Sequence, residues 1–237
     1  MQIDPKIIIG IDQSMSCSGI TVIIDHKGDF EDLDVRFWFT TNVKKYKPIG
    51  DLTPITISNK SGFKKLIEVV QGIGSVIKDL KEQYPSYQLF LALEGYAFAK
   101  AKGAGGANSS SVFQAGETGG CIKYMSVIDH GAKVRVYAPK SIKKWATGIG
   151  SGDKLPMYRS FSLKEDYKYV REALGDMPST PLADVIDSYF IAELLLNELK
   201  LRYGKTVMSD YTLKQIEVFN SIDKEGDNIL VSEFLEI

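Results

Sequence analysis

The residues best suited to chemistry are four carboxylates at particular places in the chain. Asp12 closes the apolar run "KIIIGID", and Glu94 closes a second run, "QLFLALE". Asp184 and Asp187 stand i, i+3 in "PLADVIDSYFIA", where helical spacing puts both on one face. Taken singly, each has an ordinary explanation: a turn aspartate, an exposed strand end, or an acid that complements the dipole at a helix start. Taken together, they point elsewhere. A late helix packed on a sheet can bring its first turns beside the strand ends. Carboxylates crowded there repel one another unless cations lie between them. Hard oxygen donors suit Mg²⁺ or Mn²⁺.

The elements that must position these acids can be read from the periodicity. "KIIIGID" and "SGITVIID" read as strands joined by "QSMSC", and alternation in "VRFWFTT" adds a third, completing an antiparallel meander. Residues 44–59 read as a long loop. Apolar residues at helical spacing from about Ser61 to Gln83 predict a helix that ends near Pro85, and "QLFLALEGY" is a fourth strand. "AKAKGAGGANSSS" is too rich in Gly and Ser to be ordered by its own packing. "SVFQAGETGGCIKYMSVIDHG" predicts a helix whose Gly116, Gly119 and Gly120 allow close approach of another. "KVRVYAPKSIKKW" is a fifth strand running into a basic turn. Residues 156–175 read as helical. A long helix then lies between Pro181 and Gly204. This order predicts an α/β fold: a mixed five-stranded sheet with helices on both faces over residues 1–204, then an acidic appendage, 205–237.

Charge is distributed unevenly. The net charge is −1, yet residues 95–175 carry 13 basic and 6 acidic side chains, while residues 176–237 carry 5 and 12. A basic centre is the footprint of phosphate contacts, or else a solvated face. Two histidines and two cysteines, Cys17 and Cys121, show no metal-type spacing, so a zinc site is not expected. Cys17 has no histidine placed to activate it and reads as structural. No apolar run approaches the roughly 18 residues of a membrane span. "MQIDPK" is unlike a signal peptide, so a reduced, cytoplasmic setting without membrane contact is expected. "SIDKEGDNILVSEF" imitates a calcium loop through Asp223, Glu225 and Asp227. However, Asn228 stands where that loop needs glycine, and Glu233 falls one position short.

Four stretches, in order, narrow the reading: "IIIGIDQSMSCSGI", "LALEGYAFAKAKG", "VYAPKSIKKWATGIGSGDK" and "PLADVIDSYFIA". With the elements between them they span residues 5–200. The chain there resembles the RuvC family of Holliday-junction resolvases, within the RNase H-like superfamily. The resemblance implies an RNase H-like fold. It also implies a metal-dependent, structure-selective endonuclease that cuts four-way or other branched DNA and leaves 5′-phosphate and 3′-hydroxyl ends. Asp12, Glu94, Asp184 and Asp187 would hold two Mg²⁺ ions, with Mn²⁺ able to substitute. Lys154, closing "GIGSGDK", would join them in catalysis at the scissile phosphate. Lys140, Lys143 and Lys144 would follow the DNA backbone. The loop after Glu94, with Lys100 and Lys102, would enter the junction, and either Phe98 or Tyr96 would stack on bases. A homodimer would present two sites to a two-fold junction.

The extra residues at 40–59 and after 204 point to a phage or other viral version acting in the host cytoplasm. Three other classes stand against this reading. An RNase H-like nuclease for RNA–DNA hybrids would share the acids. A non-catalytic junction-binding protein would not need all four. An actin-like sugar kinase or ATPase would need a second phosphate-binding hairpin and an adenosine motif that the chain lacks. The acids and the basic segment all precede Gly204, so the tail is expected to be dispensable for catalysis. The helical spacing of "TLKQIEVF" leaves open that it packs on the core.

Overall fold

In the computed structural model, which describes residues 4–95, 109–150, 154–175, 178–221 and 228–236, the greasy runs form the centre of one sheet. Strands β1 (Lys6–Asp12), β2 (Gly19–Asp25) and β3 (Leu33–Thr41) make the antiparallel meander. Strand β5 (Gln88–Glu94) runs parallel to β1, and β6 (Lys133–Tyr137) runs parallel to β5. Strand β4 (Leu52–Thr56) adds to the outside of β3, so the sheet order is β4-β3-β2-β1-β5-β6. Three antiparallel strands followed by two parallel ones is the RNase H-like arrangement, here with one extra edge strand.

Six strands replace the expected five because part of the 44–59 segment pairs with β3. The prolines there suggest a loop, but Pro54 sits on an edge strand, where a missing N–H is tolerated. The expected basic turn after β6 is instead a helix, α3 (Pro139–Thr147). Pro139 opens it at a position where no intrahelical N–H is needed, and Gly148 closes it at φ 76°.

Strand alternation divides the core in two. Ile7, Ile9 and Ile11 face α1 (Gly62–Gln83) and meet Ile73, Ile77 and Ile122, the last from α2 (Ser109–Ile128). Ile8, Ile23 and Phe90 face the other side. There α6 (Leu182–Arg202) lies on the sheet, with α3, α4 (Lys154–Ser162) and α5 (Lys168–Leu174) beyond it. Helix α6 is therefore buried almost all round. It reaches the sheet because two strand positions lack side chains. A Cβ at Gly10 would fall 2.3 Å from the Ser188 carbonyl oxygen, and one at Gly19 would fall 2.0 Å from that of Asp184. Between them the Thr21 and Ser188 hydroxyls hydrogen-bond at 2.8 Å.

The segment after Gly204 packs on this same core. Val218 and Phe219 of α7 (Leu213–Phe219) are buried, and Phe219 meets the Trp145 ring edge-on. Leu235 exchanges backbone hydrogen bonds with Val134 and so covers the free edge of β6. Buried Glu198 binds Arg135 and Arg202, and both arginines donate to the Ser232 carbonyl oxygen. The tail is thus fastened by apolar contacts and by charge-assisted hydrogen bonds. Asp223, Glu225 and Asp227 lie outside the described residues. Among the described residues no helix is long and apolar enough to cross a membrane.

Candidate active site

Strands β1 and β5 are parallel, and their last mutual pair is Ile11 with Leu93. Asp12 and Glu94 follow one step later, side by side at the same end of the sheet. Asp12 still pairs with Gly19, and the Asp184 carbonyl oxygen packs against Gly19. The first turn of α6 therefore stands on the strand end that carries Asp12. Asp187 is one helical turn further along α6.

The electrostatics express this crowding. The Asp12 carboxyl is pushed well above its ordinary pKa, first by burial and then by Asp187, Asp184 and Glu94. Asp187 is pushed up to about 7 by burial, with Glu94 and Asp184 adding to the rise. Burial also raises Asp184, against the opposing effects of Lys154, the Thr180 hydroxyl and the Cys17 thiol. Burial raises Glu94, opposed by Lys143 and Lys154. Lys154 lowers the pKa of all four acids. Its Nζ stands 3.9 Å from Asp184 Oδ1, and its side chain is 54% exposed. A lysine opening a helix is unfavourable to the dipole, so the carboxylates, not the helix, account for its place. Burial pushes the Cys17 thiol up, and Asp184 beside it adds to the shift. Cys17 is therefore a neutral donor, not a nucleophile.

All four groups are hard carboxylates, and Asp184 Oδ2 is buried with no hydrogen-bond partner among the described residues. Yet among the described residues no three of His, Cys, Asp or Glu stand at the spacing that holds a metal ion. The two observations are compatible. The neighbouring acids that raise the pKa values of Asp12 and Asp187 repel one another when ionised, and a divalent cation would offset that repulsion. The chemistry of the set fits Mg²⁺ or Mn²⁺.

The basic residues divide. Lys140 is exposed at the start of α3. Lys143 points its influence inward, onto Glu94 and Asp187. Lys144 is tied to Glu217 of α7 at 2.6 Å. Tyr96, Phe98, Lys100 and Lys102 lie outside the described residues. A Cβ at Gly116 or Gly120 would meet nothing within 4 Å, so packing within the described residues requires neither glycine.

Sequence reasoning passed over Gln13, which follows Asp12 directly. Its side-chain amide donates to the Glu94 backbone carbonyl at 2.6 Å. The only signal in the sequence was its place one residue past a strand-ending acid.

No protein-family model matches this chain, and no curated protein does. Among solved structures, RuvC from Thermus thermophilus is similar at 18% identity over 84% of this chain and 96% of its own, with a TM-score of 0.45. The structure of T. thermophilus RuvC in complex with Holliday junction substrate is similar at 17% identity over the same shares, with a TM-score of 0.47. Likeness at this level says nothing of chemistry, and the reading of the site rests on its own side chains.

Proposed function

We propose that the chain is a metal-dependent, structure-selective endonuclease of the RuvC type, hydrolysing phosphodiesters at four-way or other branched DNA junctions. One observation carries the reading. Acids from two adjacent strand ends and from the start of a buried helix share one field with a half-exposed lysine beside them. A purely structural cluster would be paired off, whereas this one keeps a buried carboxylate oxygen, Asp184 Oδ2, without a hydrogen-bond partner among the described residues. The choice of branched DNA follows the four ordered stretches of sequence.

Asp12, Glu94, Asp184 and Asp187 would hold Mg²⁺ or Mn²⁺. Bound there, the ions would supply Lewis acidity for attack of water on the phosphate. The chain's own groups have separable tasks. Thr180 and Cys17 favour ionised Asp184 by donating to it. Lys154 puts positive charge where a phosphate would gain negative charge in the transition state. Lys143 balances the inner acids, and exposed Lys140 would meet the backbone of a bound strand. Products would carry 5′-phosphate and 3′-hydroxyl ends. We further propose a homodimer, supported by Phe113 and Tyr124, which α2 leaves exposed. The extra residues at 40–59 and after 204 we read as those of a phage or other viral version.

The test is cleavage of a labelled four-way junction beside a linear duplex and an RNA–DNA hybrid of the same sequence, in Mg²⁺ and in EDTA. Metal-dependent nicking of the junction in preference to the other two is the expected result. Preference for the hybrid would overturn the substrate, and cleavage in EDTA would overturn the mechanism.

A further inference from the structure

We propose that Gln13 is a positioning residue that fixes the spacing of Asp12 and Glu94 and thereby sets the affinity for divalent metal. This deepens the function proposed above and rests on its metal assignment.

The need for such a residue comes from the sheet. Pairing between β1 and β5 ends at Ile11 and Leu93, one residue short of both acids. Neighbouring strands are rotated by roughly 20–25°, so their ends diverge once the ladder stops. Beyond the last pair, the Gln13 side chain makes the connection, its Nε2 donating to the Glu94 carbonyl oxygen at 2.6 Å. On its other side Glu94 is held by β6, where the Gly95 amide donates to the Tyr137 carbonyl oxygen at 2.7 Å. The backbone of Glu94 is thus gripped from both neighbours, and Gln13 supplies the grip on the Asp12 side.

Two features separate this from incidental packing. The amide orientation is dictated, because turning it over would set Oε1 against a carbonyl oxygen. In the orientation it holds, Oε1 is buried without a hydrogen-bond partner among the described residues. Burial of an unpaired acceptor is a penalty that an apolar side chain of the same length would avoid. What glutamine adds over such a side chain is the bond to Glu94. That bond acts on the carbonyl of Glu94 itself, the last residue of the strand beside Asp12, where an error in spacing is passed directly to two of the four acids.

The experiment is Mn²⁺ titration without DNA, followed by electron paramagnetic resonance, alongside thermal melts in EDTA. It compares wild type, Asp12→Asn, Gln13→Met and Gln13→Asn. Methionine matches the reach of glutamine but cannot donate; asparagine keeps the amide but is one methylene too short. Both Gln13 variants should bind Mn²⁺ about tenfold more weakly, the usual scale for groups that orient metal ligands. Their melting in EDTA should stay close to wild type. Asp12→Asn should lose the site. If Asp12→Asn loses Mn²⁺ while a folded Gln13 variant keeps wild-type affinity, the role of Gln13 is refuted and the metal assignment stands. If Asp12→Asn binds Mn²⁺ as wild type does, the metal assignment itself fails. Should Gln13→Met not fold, Gln13→Asn decides the matter by the same measure.

Discussion

Replacing Asp187 by asparagine should make the metal-free protein more stable, by an amount that grows with pH. The Asp187 carboxyl titrates at about 7 in the fold, against an ordinary value of 3.8. Burial is the largest cause, Glu94 and Asp184 add to it, and Lys154 and Lys143 oppose it. A folded pKa raised in this way means the folded protein holds the proton more tightly than the unfolded chain does. Its contribution to stability is complete below pH 4 and is lost as pH rises through 7. A rise of roughly three pKa units, at about 1.4 kcal/mol each, is about 4 kcal/mol by pH 8. Asparagine is neutral throughout and loses nothing over that range. For a chain of this size a kilocalorie moves Tm by roughly 2–4 °C, so about 8–16 °C is the ceiling. Rearrangement of Lys154 and entry of water reduce it, and we expect at least about 4 °C. The assay is a series of thermal melts in EDTA from pH 4 to pH 8, repeated with Mg²⁺ at pH 8. The gap between variant and wild type should close toward pH 4. Mg²⁺ should raise the wild-type Tm and leave the variant nearly unmoved, since a ligand of the folded state stabilises it by mass action. A variant that melts below wild type at pH 8, or a gap that ignores pH, would refute the reasoning.

Asp12→Asn should abolish nicking while junction binding, measured by gel shift, persists on the basic surface. Lys154→Ala should lower the single-turnover rate on the order of 10²-fold with little change in affinity, whereas Lys140→Ala should weaken binding and reduce its salt slope by about one unit. Identical defects in both lysine variants would remove the division of roles. A chain ending at Gly204 would expose Trp145 and leave Arg135 and Arg202 without the Ser232 carbonyl. It should melt several degrees lower than the full chain, and an unchanged Tm would show that the tail's packing contributes nothing.

Local pattern alone located the three meander strands, the strand that ends at Glu94, and the span of α6. Period-two alternation, helical spacing and the stops at Pro85 and Gly204 depend on neighbours within a few residues, which a sequence displays directly. The same pattern put Asp12 and Glu94 at strand ends and Asp184 and Asp187 at a helix start. Their meeting was a separate matter. It depends on β1 and β5 ending level and on α6 lying over Gly10 and Gly19, and no periodicity encodes which helix covers which glycine. Strand β4 was hidden for a related reason: an edge strand with a proline becomes a strand only when a partner such as β3 supplies its hydrogen bonds. The basic character of "KSIKK" reads as a phosphate-binding face, yet Lys144 turns to Glu217, 73 residues away. The tail's acidity reads as a solvated end, yet Phe219 and Leu235 tie it to Trp145 and to the edge of β6. Side-chain type and short-range spacing are local properties and stand in the sequence. Pairing partners, burial of charge and the shifted protonation of Asp187 arise from groups far apart in the chain, and only the folded arrangement brings them within range.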